Sequence, residues 1–207
     1  MYQEFILSII IIIIIFIIYS RDDTQYFIAD NGKKYKIVLD NDSKIKSNLL
    51  SDLDERSIKL VNFIHNNKLP TKEDANRLYD RFNKIEIMEI PSNQNGAGYT
   101  INKGNICLCL RNKQTGKLND IQDIMFVLLH ELGHTMSKSY GHGEEFQKNF
   151  DLLVKTAVKE KLWIPKDYSK QNTDICGVKV TNGNCDNGAC SNNQLDYFFK
   201  EKLLDYK

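Results

Sequence analysis

The chain has 207 residues, 42% hydrophobic and 27% charged, which suits one globular domain with an appendage or two and excludes a disordered chain. Its 28 Lys and Arg are balanced by 27 Asp and Glu. With a net charge of +1 it lacks the basic footprint of a duplex-DNA binder, which argues against nucleic acid as a partner.

The N-terminus stands apart. Phe5 to Tyr19 is almost continuously apolar, with isoleucine at every position from Ile9 to Ile15. A bilayer core needs about 20 apolar residues, with roughly 17 as the lower limit, and Tyr2 to Tyr19 just reaches it. A cleavable signal peptide fits poorly, because no Lys or Arg precedes the run and no small-x-small site follows it. A buried core segment fits poorly too, given an unbroken isoleucine run at a terminus. The expectation is therefore an uncleaved single-pass membrane anchor over residues 1–20. Arg21 is followed at once by Asp22 and Asp23, so charge gives no orientation.

Tyr26 to Ala29 and Tyr35 to Leu39 read as strands of a hairpin around Asp30-Asn31-Gly32. Ser47 to Asn67 carries Leu50, Leu53, Leu60, Val61 and Ile64 close to helical spacing. Pro70 breaks the chain, and Thr71 caps a second helix through Asn83. Ile85, Ile87 and Ile90 mark a strand that ends at Pro91, and Asn93 to Gly98 is a loop. Tyr99 to Ile101 and Ile106 to Leu110 are strands around Asn102-Lys103-Gly104-Asn105. Asp120 is a good N-cap for a buried helix from Ile121 to about Ser137. Ser139 to Gly143 interrupts it, and a further helix runs from Glu144 to about Leu162, with Phe146, Phe150, Leu153, Val154, Ala157 and Val158 on one side. After a loop-like stretch over 182–193, residues 194–206 have an amphipathic pattern.

Five cysteines lack the CxxC-like spacing of a zinc site. Cys107 and Cys109 share one face of a strand and read as buried free thiols. A disulfide among Cys176, Cys185 and Cys190 requires an oxidising compartment.

The buried helix contains His130-Glu131-Leu132-Gly133-His134. Histidines four apart share a helix face, about 5–6 Å apart at Cβ, which suits two imidazoles converging on one ion. Glu131 stands where a general base can take a proton from a water beside that ion. A catalytic zinc needs a third protein ligand, and three of the four histidines fall between His130 and His142. Gly141 and Gly143 bracket His142 where the chain has to turn back, which makes it the stronger third ligand. Glu144 and Glu145 are the alternatives. His65 has no ligand neighbour. The strand Ile106 to Leu110 leads toward this helix; it reads either as a sheet edge of the kind along which peptidases of this architecture bind substrate beside the zinc, or as a core strand without substrate contact, and the sequence does not separate the two. Tyr140 and Tyr168 are the candidate oxyanion donors, with core packing the default for both.

The motif, followed by Gly141-His142-Gly143-Glu144-Glu145-Phe146, resembles the WLM and SprT-like zinc metallopeptidases. Those proteins share HExxH, a later His before a small or acidic residue, and a Phe a few positions on. The apolar N-terminus and the Ile/Lys/Asn bias make the chain most similar to membrane-anchored members from large DNA viruses. The resemblance covers residues 25 to 180. It implies Zn2+ on His130, His134 and His142, Glu131 as base, and Phe146 packed behind the site. It also implies an α+β, zincin-like domain over 21–180, with a mixed or antiparallel sheet packed on the active-site helix. A transmembrane helix precedes that domain and a loop and helical tail over 181–207 follows it. The expected partners are a protein or peptide substrate and, through the N-terminal helix, a membrane. The proteins crosslinked to DNA that characterised relatives cleave are not carried over, because this chain has no basic patch. Two rivals stand beside this reading. One is a membrane-anchored structural or interaction protein, of a virion for example, braced by zinc and catalytically silent. The other is a soluble repair protease with a buried N-terminus.

Overall fold

The computed structural model describes residues 5–12, 22–166, 168 and 173–180. The first hairpin pairs β1 (Thr24–Ile28) with β2 (Lys34–Val38), antiparallel from Thr24↔Val38 to Ile28↔Lys34. Gly32 takes the positive φ of its turn, a conformation open to glycine at no steric cost. Tyr35 and Ile37 point inward onto helix α1 (Ser43–Asn67), whose buried stripe contains Leu50, Leu53, Leu60, Val61 and Ile64. This helix starts a turn before Ser47. The Ser43 hydroxyl donates to Asp40 O at 2.7 Å and accepts from Asp40 N at 2.8 Å, and Lys46 is buried in the first turn. Polar residues at interior positions hid that turn from an apolar-periodicity reading.

Helix α2 (Lys72–Phe82) has the predicted cap, with Thr71 Oγ1 accepting from Asp74 N at 3.1 Å, and it buries Ala75, Leu78 and Phe82. Then come β3 (Ile87–Glu89), β4 (Gly98–Thr100) and β5 (Ile106–Leu108), which form one sheet in the order β3-β5-β4. The β3–β5 pairing is parallel and β4–β5 antiparallel, so the sheet is mixed. Helix α3 (Ile121–Met136) is capped by Asp120, whose carboxylate accepts from Gln122 N at 2.8 Å. It is buried almost all round, from Ile124 through Leu129. Helix α4 (Glu144–Lys159) lays Phe146, Phe150, Leu153, Val154 and Ala157 against it. The architecture is α+β, with α3 at its centre.

Two expectations are corrected here, and one element without a sequence reading is added. Among the described residues no helix is long and apolar enough to cross a membrane. Of the isoleucine-rich segment, residues 5–12 are described, and they are helical. Those eight residues alone rise about 12 Å, against roughly 30 Å for a hydrocarbon core. The N-terminal transmembrane helix, and the single-pass membrane localisation that depended on it, are set aside; residues 1–4 and 13–20 of that expected span lie outside the described residues. Second, Cys109 is not a free thiol: it forms a disulfide with Cys176, Cα–Cα 6.4 Å, while Cys107 stays buried and reduced. The added element is a last hairpin, β6 (Thr173–Ile175) with β7 (Val178–Val180), which turns on Cys176-Gly177, both at positive φ. That is the two-residue turn that normally advertises itself as Asn-Gly or Asp-Gly. The expected tail over 181–207, with Cys185, Cys190 and the helix of 194–206, lies outside the described residues.

Candidate metal centre

Helix α3 carries His130 and His134 one turn apart, and their Nε2 atoms stand 3.1 Å from each other. The helix stops at Met136. Ser137 turns extended and Gly141, at φ 79°, brings the chain back. His142 then lies just before α4 with its Nε2 3.1 Å from that of His130. Ligand atoms of the three imidazoles all fall within 4.8 Å of one another, and no other group of three metal-ligating side chains is found among the described residues. Two imidazoles bound at about 2.0–2.1 Å to a tetrahedral zinc hold their nitrogens about 3.3 Å apart, so the donor set fits that ion. Burial, followed by the two neighbouring imidazoles, pushes the His130 pKa well below its ordinary value. Neutral imidazole is the form that ligates.

Phe146, fully buried, closes the back of the cluster, its ring 4.9, 4.4 and 4.8 Å from those of His130, His134 and His142. The glycine inside the motif has a reason in this packing. A Cβ on Gly133 would stand 3.0 Å from Phe146 Cε2 and press the ring that supports all three histidines.

The loop that delivers His142 is stapled at several points. The Glu145 carboxylate accepts from Lys138 N at 2.8 Å, Ser139 N at 3.0 Å and Ser139 Oγ at 2.7 Å. Asn149 Nδ2 donates to Ser137 Oγ at 2.9 Å. The carbonyls that end α3 are met by cations, as the negative end of a helix favours. Arg81 Nη1 donates to Thr135 O at 2.7 Å and Ser137 O at 2.8 Å, and Arg77 Nε donates to Met136 O at 2.6 Å. Lys103 Nζ reaches Ser137 O at 2.7 Å and Ser139 O at 2.8 Å. Neither arginine was singled out in the sequence, although two arginines four apart on α2 were a visible signal of a shared face.

Burial raises the Glu145 carboxyl, but the Lys138 and Ser139 hydrogen bonds, with Arg77 nearby, bring it from 4.5 down to about 2. A depressed carboxyl contributes stability above its unfolded pKa and loses it as pH falls toward the folded one. The stability difference between wild type and Glu145→Gln is therefore expected to be full at pH 6 and to shrink between about pH 4.5 and 2. Urea unfolding of both proteins across that range checks it; a difference independent of pH would remove the charge from the account. Glu145 thus serves the loop, and Glu144 pairs with Lys148 at 2.7 Å on the surface. The metal-ligating cluster contains neither of the two alternative ligands.

Glu131 is 4% exposed, and its Oε2 accepts a 2.6 Å hydrogen bond from Thr100 Oγ1 on β4. The strand beside the site is thus β4, with β5 its central neighbour; of the two readings of Ile106 to Leu110, a substrate-binding edge or a core strand, the strand order favours the core strand. Gly98 sets how closely β4 lies on α3, since a Cβ there would meet Val127 Cγ1 at 2.5 Å and Cys107 O at 3.3 Å. Gly98→Ala is expected to cost about 1–3 kcal/mol through overpacking. Chemical denaturation measures this, and an unchanged midpoint would mean that β4 moves freely off the helix. Of the candidate oxyanion donors, Tyr168 is engaged at the far end of α3, its hydroxyl donating to Asp123 at 3.0 Å. Tyr140 is 81% exposed, under the Lys103 ammonium. His65 stacks on Tyr79, centroids 4.1 Å apart.

Residues 79–197 match the family model of the WLM domain. The chain is 27% identical over 166 residues to an uncharacterized protein of Acanthamoeba polyphaga mimivirus, covering 78% of this chain and 84% of that protein. It is 33% identical over 87 residues to an uncharacterized protein of Invertebrate iridescent virus 6, covering 41% and 49%. A protein of Invertebrate iridescent virus 3 is 32% identical over 85 residues, covering 41% and 50%, so the match spans about half the length of each iridescent virus protein. Among solved structures, Wss1 from Saccharomyces cerevisiae aligns with a TM-score of 0.42 at 20% identity, covering 60% of this chain and 88% of that one.

Proposed function

Because the chain belongs to the WLM family, a zinc metallopeptidase-like family, we propose that it is a zinc-dependent endopeptidase with His130, His134 and His142 as ligands and Glu131 as general base. The observation that carries this reading is the convergence of three imidazoles beside a buried carboxylate on the residue next to the first of them. When bound, zinc would supply Lewis acidity, polarising a scissile carbonyl and lowering the pKa of a water toward about 7. Glu131 accepts the proton of the attacking water and passes it to the departing amine, so the peptide nitrogen leaves neutral. Among the described residues β4 has a strand partner on one side only. An extended substrate backbone can add there, beside Thr100 and Glu131. The chain's balanced charge favours a protein or peptide substrate over a nucleic acid.

The test is zinc content and casein cleavage by the purified full chain. One zinc per chain, with cleavage abolished by a chelator and restored by zinc, supports the proposal. Zinc bound without cleavage of any protein offered favours the rival of a metal-braced domain without catalysis. Absence of zinc under metal-replete conditions refutes both.

A further inference from the structure

We propose that Thr100 is a positioning residue: its hydroxyl, carried on β4, holds the Glu131 carboxylate in the orientation that proton transfer needs. The inference rests on the peptidase reading above and extends it to a residue outside the helix motif. The Thr100 Oγ1 to Glu131 Oε2 distance of 2.6 Å lies in the range of a charge-assisted O–H···O⁻ bond.

Two periodicities meet at this contact. Gly98 and Thr100 are two apart on a strand and point to one face, while Val127 and Glu131 are four apart on a helix and share another. Two strand residues advance about 6.6 Å and four helix residues about 6 Å, so the two pairs come into register. Gly98 sits over Val127 and Thr100 over Glu131. The strand is fixed on either side of the hydroxyl. Thr100 pairs with Ile106 in the β4–β5 ladder, and Ile101 N donates to Asn105 O at 2.9 Å. The turn that follows is tied to the end of the same helix by Lys103 on Ser137 O and Ser139 O. Threonine adds its own stiffness, because a β-branched side chain has few χ1 choices. Glu131, with three rotatable bonds, gains from this frame an orientation that helix position alone does not give.

The experiment uses zinc-loaded full chain with casein as substrate, in wild type, Thr100→Val and Thr100→Ser. Thr100→Val is expected to lower kcat about ten- to hundred-fold with KM within about two-fold and zinc stoichiometry unchanged. Thr100→Ser, which keeps the hydroxyl, restores most of kcat. A second readout needs no activity: thermal unfolding of the metal-free protein in a double-mutant cycle with Glu131→Ala. There Thr100→Val lowers the midpoint by a few degrees when Glu131 is present and not when it is absent. An active enzyme whose kcat ignores Thr100→Val, a serine variant as slow as the valine one, or an uncoupled cycle would each overturn the proposal. Should the wild type itself cleave nothing, the peptidase reading fails, and a coupled cycle then marks the contact as structural only.

Discussion

Glu131→Gln is expected to keep zinc at wild-type stoichiometry while kcat falls by about 10²- to 10⁴-fold, the usual contribution of a positioned general base. Glutamine has the same shape, and its amide oxygen can still accept from Thr100 Oγ1, so the local packing around a 4% exposed side chain survives. What it lacks is basicity. The residue is not in the cluster of ligating nitrogens, so metal affinity should be unchanged. Zinc content, unfolding midpoint and casein kinetics on the same preparations separate the outcomes. Undiminished turnover would take the base away from Glu131, and loss of zinc would give the residue a role in assembling the ligands.

Lys46→Met is expected to destabilise the fold by about 3–5 kcal/mol, the usual cost of leaving one half of a buried ion pair behind. Lys46 is fully buried, its ammonium 2.9 Å from Glu89 Oε2 and 3.0 Å from Asp40 Oδ2, and it also donates to Val38 O. Glu89, on β3 and 5% exposed, accepts from Val38 N at 2.8 Å. Burial pushes its carboxyl up even with Lys46 beside it, so without the ammonium it would be the more costly to keep charged. The pair links the first turn of α1 and the end of the β1–β2 hairpin to the sheet that carries β4. Lys46→Met with Glu89→Gln removes both charges but keeps an acceptor for Val38 N, and should recover much of the loss. Denaturant midpoints for the two single variants and the double complete the cycle. A double variant no more stable than Lys46→Met would show that the cost lies in the lost lysine packing, not in the stranded carboxylate.

The site was legible because its grammar is local. His130 and His134 obey a helix period, Gly141 announces the return, and Phe146 follows at the start of the next apolar stripe. The elements around it were legible for the same reason, with Thr71 and Asp120 standing as caps in plain view. What the sequence withheld depends on partners distant along the chain. Lys46 reads as solvated until Glu89, 43 residues on, is placed beside it. Cys109 reads as an inert thiol beside Cys107 until the last hairpin brings Cys176 to it. The β4 and β5 strands read as two strands around one turn, and which of them lies at an edge is decided by the parallel pairing of β3 with β5. The isoleucine run was read from composition alone, and among the described residues no helix is long and apolar enough to cross a membrane.

The bond between Cys109 and Cys176, 67 positions apart, closes a covalent ring, and α3, the His142 loop and α4 all lie inside it. A single backbone cut in the exposed stretch around Tyr140 would open that ring without dividing the molecule. The halves bearing His134 and His142 would stay tethered, running as one band on a non-reducing gel and as two once thiol is added. For a peptidase, that would give a first self-inflicted nick the character of a scar, not a severance.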